Sequence, residues 1–429
     1  MTFLRQETLL TLGILLAAVP GPGCGDDAPS VGSDAGDART SPDASSDAMA
    51  SQDATPDASP DATVRDIVPP DVTIAAPREG GMSPGVLAFI SGTVSDDQAV
   101  DSLVWDAPEG EVPIDVDATG EFSATISLRP GENTVRLVAR DPEGNEGEAS
   151  VDVYFGHRVS VGNSQAAYLR QGTLYTWGRN ELGQLGNGTL DGSRYGDDPA
   201  TATLPVRYEV DVQNLVSIVT RQTFMIALHG DGTVSTWGSN SDGQLGYDAE
   251  DDCGSRGTSA CRRSPTQVEG VANAVGVAAG FDHSLVLLAD GTVMSWGSNS
   301  DGQLGYTTLE DTNQIPTRVE GLSNIVQLAA GSTSSFALDN AGDVWAWGEN
   351  DRGQLGLGTS DRDPHPVPMR IAGLTGVRSL ASGNATVYAL MADGTVMAWG
   401  RNQSGQAGVG ETMADEVLMP APVLVRNPD

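Results

Sequence analysis

One phrase recurs five times in this chain: Trp-Gly, any residue, Asn, two further residues, then Gly-Gln-Leu-Gly. It runs from Trp177 through Asn180 to Gly186, Trp237 through Asn240 to Gly246, Trp296 through Asn299 to Gly305, and Trp347 through Asn350 to Gly356. A fifth copy runs from Trp399 through Asn402 to Gly408, with Ala407 in place of the Leu. Successive tryptophans are 60, 59, 51 and 52 residues apart. A period of that size, filled with short β-rich runs and Gly turns, marks a propeller or another closed repeat array.

Each copy reads as part of one blade. The run Gly232-Thr233-Val234-Ser235-Thr236-Trp237 is β-branched and enters through Asp-Gly, which suits a half-buried strand after a tight turn. The Asn-x-x-Gly-Gln-Leu-Gly stretch has turn chemistry, with Gly for positive φ and an Asn side chain that bonds nearby backbone. Leu185, Leu245, Leu304 and Leu355 are expected to plug inward between blades. A buried Trp takes about 150 to 250 Å² out of water, an upper-bound stabilisation of roughly 4 to 6 kcal/mol. The five tryptophans and five asparagines are therefore expected to be structural.

These residues resemble the regulator of chromosome condensation repeat, a β-propeller family. The segment Gly172 to Gly188, with Leu174, Tyr175 and Trp177, copies the first half of that repeat, and Val277 to Leu287, with Gly280 and His283, copies the second. The resemblance covers residues 157 to about 426. There are departures: the repeat His becomes Gln165, Phe224, Ser334 and Thr386, and Arg221 stands where Gly is expected. The family implies protein binding on one propeller face; its members include a nucleotide-exchange factor on chromatin and a secreted β-lactamase inhibitor. Exchange activity is not carried over to this chain.

Composition narrows the partner. The formal net charge is −35 and all 23 basic residues are Arg. Such a chain repels phosphate backbones and anionic membrane surfaces, so no nucleic-acid partner is expected. Lys-based catalysis is excluded outright. Of three cysteines, Cys253 and Cys261 sit eight positions apart in an Asp/Gly/Ser-rich insertion, Asp248 to Arg263, without the nearby His of a zinc framework. In an oxidising compartment they are expected to form a disulfide, the alternative being two free thiols.

Residues 1–24 read as an export signal. Arg5 precedes an apolar run from Leu9 to Val19, too short to span a bilayer, and then Gly21-Pro22-Gly23-Cys24. This resembles a bacterial lipoprotein signal with Cys24 as the lipidated residue, so a cell-envelope location, at the outer membrane or cell surface, is expected. A plain secretory signal or a short anchor helix is the alternative. Residues 25–69 form a linker rich in Asp, Ala, Ser and Pro, expected to be disordered, whose 41 residues from Asp26 to Asp66 would reach roughly 35 Å as flexible coil. Residues 70–155 read as a small β-sandwich of seven strands, immunoglobulin-like, with Trp105 as its core aromatic. Its Asp141-Pro142-Glu143-Gly144-Asn145 segment offers calcium ligands but reads more simply as a polar turn. Residues 156–429 are the propeller, of about five blades where seven are usual in the family. Because Val159 to Leu169 matches a second half-repeat and the fifth copy lacks one, the two ends are expected to share a blade and close the ring.

No chemistry stands out. His157, His229, His283 and His365 lie in different repeats with no partner at ligand or triad spacing. No hydrolase, metalloprotease, phosphate-loop or dinucleotide fingerprint occurs, and no catalytic residue, cofactor or metal is assigned. The leading expectation is an exported, lipid-anchored, monomeric surface protein whose propeller loops bind another protein. A carbohydrate-binding or carbohydrate-cleaving protein is the alternative.

Overall fold

The computed structural model describes residues 66–78, 81–83, 85–170, 173–190, 208–210, 212–253, 259–308, 310–410 and 415–424. The export signal, Cys24 and most of the linker lie outside them. Among the described residues every regular element is a β-strand.

Two sheets make the N-terminal module. Strands Asp71–Ala76, Leu87–Ser95 and Glu121–Ser127 pair antiparallel, and Gly81–Ser83, Glu146–Phe155, Gly131–Arg140, Ser102–Ala107 and Gly110–Pro113 form the second sheet in that order. Alternation sets their buried faces: Phe122 and Ile126 from one sheet meet Leu103, Val135, Leu137 and Val153 from the other in one core. Trp105, expected as the core aromatic, is partly buried and packs against that core, while Phe122 lies within it. The Asp141 turn is polar, as its carboxylate accepts bonds from Asn145 N at 2.8 Å and Asn145 Nδ2 at 2.6 Å.

Five repeat sheets follow, each wound from consecutive antiparallel strands. Sheet one holds Val159–Val161, Gln165–Arg170, Thr173–Gly178 and Tyr208–Val210. Sheet two holds Leu215–Thr220, Phe224–His229, Val234–Ser239 and Ser259–Gln267, with Asp251–Cys253 added outside. Sheets three and four are Ala274–Ala279, His283–Leu288, Val293–Ser298 and Thr312–Arg318, then Ile325–Ala330, Ser334–Asp339, Val344–Gly348 and His365–Arg370. Sheet five is Val377–Ser382, Thr386–Met391, Val396–Arg401 and Glu416–Pro422. The first strand of each lies innermost. The last, in sheets two to five, carries Pro265, Pro316, Pro366 and Pro368, or Pro420 and Pro422, which blunts an exposed edge.

The repeated phrase builds the joint between sheets. The Asn side chain accepts the backbone N–H of the residue five ahead, at 2.9 Å for Asn180 to Leu185, Asn240 to Leu245 and 3.0 Å for Asn299 to Leu304, and likewise for Asn350 and Asn402. That turn aims the Gln carbonyl at the next sheet, whose Trp donates its indole N–H to it. The bonds are Trp237 to Gln184 at 3.1 Å, and Trp296 to Gln244, Trp347 to Gln303 and Trp399 to Gln354, each at 2.9 Å. All four rings are 0% exposed.

Four seams result, each with its own apolar core. They join sheet one to two through Leu169, Leu174 and Trp237, and two to three through Leu228, Leu245 and Trp296. Leu287, Val319 and Trp347 join three to four, and Leu338, Leu355 and Trp399 join four to five.

The expected shared blade is not what forms. Sheet one is complete within residues 159–210 and sheet five within 377–422, so among the described residues no strand passes between the two ends. The reason is order along the chain: each sheet begins with the half-repeat that precedes its Trp strand, so the segment at Val159 opens a blade of its own. As a consequence Trp177, which has no preceding sheet to enter, is only half-buried.

Candidate functional site

The innermost strands all run the same way, which gives the array two distinct ends. Their first residues face the N-terminal module: Tyr154 Oη donates to Val216 O at 2.7 Å, Val86 N donates to Val326 O at 3.1 Å, and the Arg378 guanidinium lies 3.7 Å from the Phe89 ring centre. The module therefore covers this end, across sheets two, four and five. The small cavity left there is lined by Gly85, Phe155, Ser217, Val277 and Gln327.

The opposite end is stitched by backbone and buried polar groups. Arg221, which replaces the repeat Gly, donates from Nε to Ala279 O at 2.9 Å and from Nη2 to Ala330 O, so one side chain of sheet two ties the ends of sheets three and four. Burial lowers its pKa. Phe281 N donates to Ser332 O at 2.9 Å and Ser332 N to Asn384 O at 2.8 Å, carrying the ladder on to sheet five.

The repeat His position is one structural site. Gln165, Phe224, His283, Ser334 and Thr386 each pair opposite the Gly of Trp-Gly, at Gly178, Gly238, Gly297, Gly348 and Gly400. A Cβ on Gly297 would lie 2.8 Å from the His283 Cα, which is why the residue after Trp has no side chain. His283 is fully buried with Nε2 2.9 Å from Ser335 Oγ, which itself donates to Gln303 O at 2.8 Å. With that hydroxyl hydrogen already used, His283 is the donor and is neutral. Burial, then the Arg221 charge, pushes its pKa down to about 3.

Around this end sit carboxylates held in unusual states. Asp282, just before His283, has its pKa pushed up to about 6 by burial and by the neighbouring Asp242. Gln244 Nε2 donates to its Oδ1 at 3.2 Å. Glu349 is likewise raised by burial and by Asp351 and Asp301, against the pull of its Thr333 hydrogen bond and of Arg352. Four of these five sit within or beside the Asn-x-x-Gly-Gln turns. Carboxylates thus gather around this end, and burial together with like-charged neighbours holds Asp282 and Glu349 closer to neutrality than an exposed acid.

The insertion with the two cysteines rises at the same end. Strand Val234–Ser239 ends there, and Ser239 pairs with Cys261 while Cys253 pairs with Ser259. Cys253 and Cys261 are bonded to each other, buried, with Cα atoms 5.9 Å apart. The hairpin leans on sheet one, where Gly188 N donates to Arg263 O at 3.0 Å. Of the other insertion, Thr189 to Thr203, all but its first two residues lie outside the described residues.

Of the residues singled out in the sequence, Trp237, Trp296, Trp347 and Trp399 are brought together with Asn180, Asn240, Asn299 and Asn350 as parts of the four seams, while Trp177 and Asn402 stand at the two ends of the array. Asp282, Glu349 and Arg221 as a cross-tie were not foreseen. Among 58 acidic residues no spacing distinguishes two of them, and only Arg221 in a Gly position was a visible signal.

Sequentially wound four-stranded sheets with a Trp-sealed seam define a repeat protein of the β-propeller class. The chain belongs to the RCC1-like domain family, whose model matches residues 128–428. Protein pim1 of Schizosaccharomyces pombe is 32% identical over 283 residues, 61% of this chain and 50% of its own length. The human probable E3 ubiquitin-protein ligase HERC6 is 31% identical over 66% of this chain but only 26% of its own length. The chain thus spans half or less of these curated relatives. Among solved structures, yeast RCC1 (Prp20) bound to Kap60 superposes with a TM-score of 0.51 at 18% identity, over 70% of this chain and 75% of that one. Human WBSCR16 gives 0.53 at 21% identity, over 76% and 94%. Prp20p, described with its binding to Gsp1p and histones, gives 0.50 at 19% identity, over 77% and 87%. These likenesses are of fold.

Proposed function

We propose that this protein is a non-catalytic binding platform that engages a protein partner through the end opposite the N-terminal module. The observation that carries this is the covering of one end: Tyr154, Val86 and Phe89 occupy the entrance of the innermost strands, so the module leaves uncovered the opposite end, with its half-buried Asp282 and Glu349 and the disulfide hairpin. Loops on a rigid scaffold carry recognition, and a mouth of partly desolvated carboxylates selects a basic surface. Protein partners named for the yeast relatives, Kap60, Gsp1p and histones, fit the same general role. In this reading the module is immunoglobulin-like, the five sheets are five blades, and Cys24 carries a lipid that places the protein on the outside of a bacterial cell. The Asp-rich linker then holds the binding end clear of the membrane.

The test is a paired capture from envelope extract with the full chain and with Asp282→Asn/Glu349→Gln. A partner held by the parent, lost from the double variant and released by raised salt supports the platform. Equal capture by both, or binding to a glycan array with no protein captured, removes it. A Cys24→Ser chain still labelled by palmitate would contradict the anchor.

A further inference from the structure

We propose that the two open flanks of the repeat array are complementary halves of a fifth seam, and that they mate head to tail between two copies of this chain. This does not rest on the proposed partner, which uses a different surface.

Sheet five keeps the receiving half of a seam. Asn402 Oδ1 accepts Ala407 N at 3.1 Å, forming the same turn as in the other repeats, and Gly408 keeps a positive φ of 66°. In the four completed seams the equivalent glycines, Gly186, Gly246, Gly305 and Gly356, each lie against the Trp of the next sheet, with a Cβ position 2.6 to 3.0 Å from its Nε1. At Gly408 no Trp is there. The Gln carbonyl in this turn is built to accept twice: Gln244 O takes Ser284 Oγ and Trp296 Nε1, and Gln303 O takes Ser335 Oγ and Trp347 Nε1. Gln406 O accepts instead from Tyr388 Oη of its own sheet, so the donors that the next sheet supplies in the completed seams have no counterpart here among the described residues. Leu390, whose counterparts Leu228, Leu287 and Leu338 are buried in seams, is 41% exposed.

Sheet one keeps the inserting half. Trp177 is half-buried, while the other four repeat tryptophans are 0% exposed. On the same flank Val159 and Val161 are 59% and 61% exposed, although Ile218 at the position of Val159 is fully buried. Exposed apolar flanks of this kind mark association surfaces.

The occupant follows from the seam itself. Four times in this chain, what covers a sheet's receiving flank is a sheet of the same repeat entering with its Trp. Among the described residues sheet one is the repeat sheet whose Trp flank stays uncovered. Closure within one chain is opposed by the module, whose contacts to Val216, Val326 and Arg378 brace sheets two, four and five at their present opening. The mate is therefore sheet one of a second copy. Such a contact is heterologous, so it builds a closed ring or a chain of copies and not an isologous pair. At a net charge of −35 the copies repel, so salt should strengthen the association by screening.

The experiment uses the full chain carrying Cys24→Ser, so that introduced cysteines are the sole free thiols. Differently tagged Val161→Cys and Leu390→Cys chains are mixed and treated with a bismaleimide, and uncrosslinked protein is weighed by light scattering over a range of concentration and salt. The expected result is a product carrying both tags, a mass of two or more chains, and about tenfold weaker association for Leu390→Arg with unchanged circular dichroism. Val161→Arg repeats the test from the other flank. A single-chain mass at every concentration overturns the proposal. So does cross-linking confined to a single-chain product of the Val161→Cys/Leu390→Cys double variant, which would show the ring closing on itself.

Discussion

Trp296 donates its indole N–H to the carbonyl of Gln244, 52 residues earlier and 2.9 Å away, across the seam between sheets two and three. The same ring lies against Gly246, whose missing Cβ would sit 2.9 Å from its Nε1. One short phrase thus supplies the acceptor, the floor and, a repeat later, the ring. Each part of it predicts a measurable consequence.

Gly246→Ala should be costly for two reasons. Its φ is +86°, and the added methyl meets Trp296 and Val268. Left-handed strain and overpacking together amount to about 2 to 4 kcal/mol. Gly270→Ala, with a φ of +79° but open space around it, should lose only about 1 to 2 kcal/mol. Urea unfolding midpoints compare them; equal losses would mean that contact with the Trp is immaterial.

Truncating the rings should separate sealed from unsealed positions. Trp296→Ala leaves a cavity in a closed core and should destabilise by about 3 to 5 kcal/mol. Trp177→Ala, at the open flank, should lose less than half as much when measured at a dilution where the chain is monomeric. Similar losses at both positions would show that the first flank is sealed in solution.

Acid should act on Asp282 and His283 in opposite senses. The folded Asp282 pKa, about 6, lies above its ordinary value, so between the two the folded state holds a proton that the unfolded state has released. Stability from this group rises as pH falls through 6, and Asp282→Asn should remove that gain. His283, at about 3 when folded, remains neutral while the unfolded chain takes up a proton below its ordinary pKa of 6.5. Its contribution is present above 6.5 and lost progressively towards 3. Denaturant midpoints from pH 7 to 4 for the parent and Asp282→Asn check this; parallel curves for the two proteins would contradict the raised Asp282.

Reducing the Cys253–Cys261 bond should lower stability by about 2 to 3 kcal/mol, since the loop it closes is short. Cys253→Ser/Cys261→Ser should show the same loss and no further response to reductant. Alkylated peptides with identical mobility with and without reductant would count against the pairing.

Much of the fold was legible from particular residues. Trp237, Trp296, Trp347 and Trp399 were expected to pack, and they do, because a ring of that size with one polar atom needs an acceptor wherever it is buried. Asn240 and its counterparts were expected to bond local backbone, and they cap the residue five ahead. Trp177 departs from its copies although its phrase is unchanged, and the shared blade did not form. Neither outcome is written locally, because burial depends on whether another sheet arrives. The same is true of Asp282, whose raised pKa is created by burial and by Asp242 in a different turn.

The amino-acid order by itself determined the repeat, its turn geometry and the identity of the sealing residues, since these depend on contacts between a phrase and the copy next to it. Tertiary structure alone decided which end is covered, which flanks stay open and where Arg221 reaches. Those outcomes depend on how sheets and module meet around a common axis, and no spacing along the chain encodes that distance.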